Sequence, residues 1–127
     1  MARDIRSART LFALTLAVVG CAPNVYQTML GARADPAGRA GDVELWSEKV
    51  PECPFDEIAI ITARQAEFGT GSDDVLEALR RRAWELGAHV VLGLEVLQGA
   101  GEFREPGHVH GGYRGTAIRF SDPACRQ

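Results

Sequence analysis

The sequence predicts an α+β fold, a two-layer sandwich in the order β-β-α-β-β with one amphipathic helix on a four-stranded mixed sheet. Three observations carry this expectation. Apolar residues recur with helical period between Ser72 and Leu86; apolar runs rich in β-branched residues lie on either side of that segment; and glycine and proline punctuate the rest. Val43–Lys49 (VELWSEK) alternates and reads as a half-buried first strand. Pro51-Glu52-Cys53-Pro54 is a connection, because two prolines so close do not both fit a paired strand. Ile58–Arg64 (IAIITAR) is apolar on both faces, as an interior strand is.

The helix is the clearest element. Ser72 is the expected N-cap, Asp73 and Asp74 place negative charge where the helix dipole favours it, and Gly87 stops the run. Val75, Leu76, Leu79, Ala83 and Leu86 fall within a sector of about 100°, the stripe a helix packs on a sheet. Trp84 lies beyond the apolar edge, either as rim packing or as a surface that another protein covers. Ala88–Leu97 (AHVVLGLEVL) is a second buried strand, with Ala88, Val90, Leu92, Leu94 and Val96 expected on one face. Gln98–Gly112 is a glycine-rich loop, expected to be a mobile recognition segment, and Tyr113–Phe120 is the closing strand. If the alternation holds, Trp46, Ala59, Ile61, Val91 and Ala117 share the sheet face away from the helix, to meet solvent or a second subunit.

The N-terminus divides into an export signal. Met1 to Arg9 carries Arg3, Arg6 and Arg9 against Asp4, and Thr10–Val19 (TLFALTLAVV) is an apolar run of ten residues. A permanent span needs about 20. Val18-Val19-Gly20-Cys21 directly after the run resembles the lipobox of bacterial lipoproteins, in which the cysteine is lipidated, with palmitate among its chains, and becomes the first mature residue. The resemblance implies a signal peptide over 1–20, attachment at Cys21 and a membrane-anchored mature chain. Ala22 stands where aspartate favours inner-membrane retention, which implies the outer membrane of a double-membraned cell, facing the periplasm. Residues 21–41, rich in Ala, Gly, Pro and Arg in their second half, read as a flexible tether, and residues 42–127 as the single domain.

Composition narrows the partners. Hydrophobic residues make up 46% and charged residues 24% of 127, a globular balance that excludes wholesale disorder. Removing Arg3, Arg6, Arg9 and Asp4 takes 14 basic and 17 acidic side chains to 11 and 16, a net charge of −5. Such a surface gives no support for binding nucleic acid. Once Cys21 is lipidated, Cys53 and Cys125 remain, an even pair in an oxidising compartment. Cys53 lies five residues before Ile58 and Cys125 five after Phe120, so antiparallel pairing of those two strands brings the cysteines together as a disulfide.

Asp74–Val91, with Ala83 and Leu86-Gly87-Ala88-His89-Val90-Val91, resembles the heart of YbjQ-type small α+β bacterial domains, a group associated with heavy-metal binding. Pro54-Phe55-Asp56-Glu57-Ile58-Ala59 and Gly115-Thr116-Ala117 fit the same pattern. In its lipoprotein setting the chain is similar to the sensor lipoproteins of the Rcs envelope-stress phosphorelay. The resemblance implies this architecture over about residues 43–120 and carries no catalytic residue with it.

His108-Val109-His110 is the one constellation suited to a metal, with His89, Glu102 or Glu105 as candidate further ligands. No G-x-S-x-G, H-E-x-x-H or Walker lysine is present, and no serine or cysteine has an activating context, so no enzyme activity and no cofactor are expected. Two function classes follow. One is a tethered, non-enzymatic envelope lipoprotein that binds another envelope protein or assembles with itself; the other is a periplasmic metal-binding or metal-sensing lipoprotein.

Overall fold

A computed structural model of the chain describes residues 22–66, 71–97 and 111–125. Its elements are β1 (Asn24–Met29), β2 (Glu44–Trp46), β3 (Phe55–Arg64), α1 (Ser72–Glu85), β4 (Val90–Leu97) and β5 (Gly112–Phe120), with single 3₁₀ turns at Ala40–Asp42 and Pro123–Cys125. The class is α+β with one helix on a mixed sheet, but the sheet has five strands, in the order β1-β3-β5-β4-β2. All neighbours are antiparallel except β2 and β4.

The additional strand corrects the expected tether over 21–41. Residues 24–29 pair along their whole length with β3, from Asn24 opposite Arg64 to Met29 opposite Ala59. The rest of that segment is also docked. Ala34 donates its N–H to the Leu86 carbonyl at 2.9 Å, and Arg33 Nη2 donates to the Glu85 carbonyl at 3.3 Å, so the segment satisfies two carbonyls that the helix end leaves open. Gly87 sits at φ +85°, and a Cβ there would lie 2.5 Å from the Ala34 oxygen. Glycine is required both for the left-handed turn and for this close approach. These contacts are made by backbone and by the Arg33 guanidinium, which leave no hydrophobic period in the sequence.

The helix begins one residue earlier than expected. Gly71 is the N-cap and Ser72 the first helical residue. The cap contact is Asp74 Oδ2 accepting from the Gly71 N–H at 3.3 Å, so the acidic first turn serves its own backbone. Val75, Leu79 and Ala83 are buried, as the stripe predicted.

Of the five residues expected on the sheet face away from the helix, Trp46 lies there and the other four lie on the opposite face. Ala59, Ile61, Val91 and Ala117 lie beneath the helix, in a cluster with Val75, Leu79 and Ala83. Val90, Ile118 and Phe120 form a separate cluster on the other side, where Trp46, Phe55, Leu92 and both disulfide cysteines pack against them. Small residues under α1 bring it close to the sheet; a Cβ at Gly115 would already lie 2.4 Å from Val91 Cγ1. Two register shifts hide this arrangement from simple alternation, one between Glu57 and Ala59 and one between Leu92 and Glu95. At the second, Gly93 takes φ +60°, the left-handed residue of a β-bulge. Val90 and Leu92 therefore face the disulfide side, while Leu94 beyond the bulge packs against the helix-side core.

Candidate functional site

The strand directions define two poles, and the candidate residues sort between them. Asn24, which starts β1, is opposite Arg64, Arg64 is opposite Gly112, and Gly112 is opposite Leu97. These four residues form one row across four strands. Beside the row lies a hollow of about 180 Å³ lined by Gln65, Ser72, Val75, Val96, Leu97 and Tyr113. Val75, Val96, Leu97 and Tyr113 give it an apolar wall, and Val96 is 69% exposed. Its rim is tied by Gln65, whose N–H donates to the Gly111 carbonyl at 2.9 Å and whose Oε1 accepts from the Gly111 N–H at 3.1 Å. Sequence reading placed 98–112 wholly in a loop; Gly112 belongs to β5, and 98–110 lie outside the described residues.

The opposite pole is closed by the Cys53–Cys125 disulfide, with the two Cα atoms 6.1 Å apart. The antiparallel pairing from Phe55 opposite Phe120 brings the cysteines together, as the strand positions implied. A second hollow, about 270 Å³, lies here between Trp46, Lys49, Val50, Phe120 and the two cysteines. Lys49 Nζ stands 4.1 Å from the centre of the Trp46 ring, a cation–π contact. Trp46 Nε1 donates to Glu44 Oε2 at 2.7 Å.

His89 is buried at this disulfide pole. Its Nδ1 accepts from the Phe120 N–H at 3.1 Å, and its own backbone N–H donates to the Ile118 carbonyl at 2.8 Å. The strand that follows it, Val90–Leu97, is eight residues long, so its far end at Leu97 lies about 25 Å away. His89 is thereby placed apart from that end of the sheet, and its visible work is to close β5. His108, His110, Glu102 and Glu105 lie outside the described residues, as does Cys21. Among the described residues no group of three or more His, Cys, Asp or Glu side chains is placed to hold a metal ion.

Trp84, read from the sequence either as rim packing or as a surface that another protein covers, has a partner within the chain. It is half-buried against the helix-side core, and its Nε1 donates to the Gly38 carbonyl at 3.1 Å. The exposed large apolar side chains among the described residues lie elsewhere: Tyr26, Met29 and Leu30 along and just after β1, with Val50 and Val96 at opposite poles. Sequence reading missed β1 and the hollow beside its row. The signal available was the cluster Val25, Tyr26, Met29 and Leu30, dense in apolar residues for a linker.

No helix among the described residues is long and apolar enough to cross a membrane. No family model and no curated protein matches the chain. Among solved structures, the chain is similar to the Francisella virulence factor FvfA in its orthorhombic crystal form, at 16% identity and a TM-score of 0.53, over 79% of this chain and 99% of that one. The likeness is one of fold.

Proposed function

We infer that this is a lipid-anchored lipoprotein of the bacterial envelope, facing the periplasm from the outer membrane, whose domain binds another envelope protein without catalysing a reaction. The observation that carries the reading is the short link between the lipobox cysteine and the folded sheet. Only Ala22 and Pro23 separate Cys21 from Asn24, the first paired residue of β1. A lipid on Cys21 therefore holds one pole of a rigid domain at the bilayer. The disulfide supports the same reading, since such bridges persist in oxidising compartments.

Protein binding is favoured by the side of the sheet away from α1. Next to the disulfide-covered half, Tyr26 is 60% exposed, and Ile60, Thr62 and Thr116 are half-buried. Tyr26 is opposite Thr62, and Thr28 is opposite Ile60, which is opposite Thr116, so these residues form rows across three strands. Mixed aromatic, aliphatic and hydroxyl side chains suit a transient protein contact. The test has two parts. Cys21→Ala should accumulate as precursor and incorporate no labelled palmitate. A photo-crosslinking residue at Tyr26 should then capture an envelope protein that the same residue at exposed Glu77 does not; equal capture at both positions removes the protein-binding reading.

A further inference from the structure

The apolar hollow between α1, β4 and β5 lies at the same end of the molecule as the lipobox cysteine, and the register makes this quantitative. Asn24, Arg64, Gly112 and Leu97 form one row, and Val25, Ala63, Tyr113 and Val96 form the next. Cys21 is three residues before Asn24, a reach of about 10 Å when fully extended. Val96 and Leu97, on the wall of the hollow, therefore sit at the height of the residues nearest the anchor. Phe120 and the disulfide lie eight residues further along β5, about 27 Å away.

We propose that the mature protein seats this hollow on the bilayer, with lipid covering Val96, Leu97 and Tyr113, so that the disulfide pole points away from the membrane. The proposal rests on the lipoprotein reading, since the anchor is what brings this pole to the surface. Two features favour lipid as the occupant. The anchor is too short to let the pole stand far off, so even a weak apolar contact is made at high effective concentration. The wall also presents aliphatic and aromatic side chains at the height where tyrosine and aliphatic groups meet the headgroup boundary. Charge plays little part. The net charge of −5 that remains after residues 1–20 gives no attraction to anionic lipid, and Arg114 is paired with Glu95. Seating is accordingly independent of anionic lipid and of salt.

Two exposed valines at opposite poles make the test. Val96 is 69% exposed and Val50 76% exposed, so cysteine at either leaves the core intact. The lipidated, full mature protein carrying Val96→Cys or Val50→Cys is labelled with bimane without reduction, which protects the native disulfide. Each is reconstituted in phosphatidylcholine vesicles containing doxyl-labelled acyl chains and floated. The expected result is a blue shift at position 96 and quenching severalfold stronger than at 50, unchanged by added salt. Flotation with equal, weak quenching at both positions overturns the seat while leaving the anchor in place. Failure to float, with no palmitate incorporated, overturns the anchor and the seat together. Crosslinking of two Val96→Cys copies to each other in place of lipid quenching assigns the hollow to a second copy and also overturns the proposal.

Discussion

The two faces of the sheet are closed by different means. Beneath α1 the residues are small, and a fourteen-residue helix lies over Ala59, Ile61, Ala63, Val91 and Ala117. On the other face no α-helix lies among the described residues. Val90, Ile118 and Phe120 are instead buried by Trp46, by the connection from β2 to β3 and by the C-terminal 3₁₀ turn, which the disulfide ties together. A helix brings its own hydrogen bonds and needs only a matching stripe. A pair of irregular segments has neither, and a covalent link limits the entropy they would regain on opening. The comparison teaches that this domain uses a bridge where it lacks an element.

The largest expected effect tests that statement. Replacing both Cys53 and Cys125 with serine should lower stability by about 4 kcal/mol, the chain-entropy value for a closed span of 72 residues. A domain of this size holds about 5–15 kcal/mol, so the variant should unfold at much lower denaturant. Equilibrium denaturation measures it. A loss below about 1 kcal/mol would mean that packing of Phe120 and Trp46 closes the face unaided.

On the helix side the corresponding break is Leu79→Ala. Leu79 is fully buried at the middle of the α1 stripe, and its truncation should cost about 3 kcal/mol through lost transfer energy and a residual cavity. Gly87→Ala follows at about 2 kcal/mol, because alanine at φ +85° is strained and its Cβ meets the Ala34 carbonyl. Thermal or denaturant unfolding reads both. If Gly87→Ala proves neutral, the 31–39 segment does not press on the helix end as described.

How much of this was legible in sequence depended on where each contact is made. The stripe Val75, Leu79, Ala83 was readable because a helix on a sheet imposes a side-chain period. The disulfide was readable because β3 and β5 were, and their antiparallel pairing fixes where Cys53 and Cys125 fall. Face assignment was not, since interior strands are apolar on both sides and the bulge at Gly93 exchanges inward and outward positions within β4. Strand β1 was hidden by its neighbours: Pro23, Gly31 and the Ala-Gly-Pro stretch have linker composition, although the chain between them is paired. The hollow beside the Asn24 row is a property of register alone, which no single segment encodes.

The smallest expected effect bears on how the helix side is finished at its edge. Trp84 Nε1 donates to the Gly38 carbonyl, joining α1 to the segment that precedes β2. Trp84→Phe removes the donor while keeping most of the ring area. The Gly38 position is exposed, so water replaces the lost partner at its carbonyl, and the change should cost about 1 kcal/mol, the net value of one hydrogen bond. The accompanying sign is local. Amide exchange should quicken over residues 31–42, while Val90, Ile118 and Phe120 on the disulfide face keep their protection, because they share no contact with Trp84. Uniform loss of protection on both faces would show that the two closures are one cooperative unit. Unchanged exchange over 31–42, together with loss of an in-cell crosslink at Tyr26, would return Trp84 to the role of a surface that another protein covers.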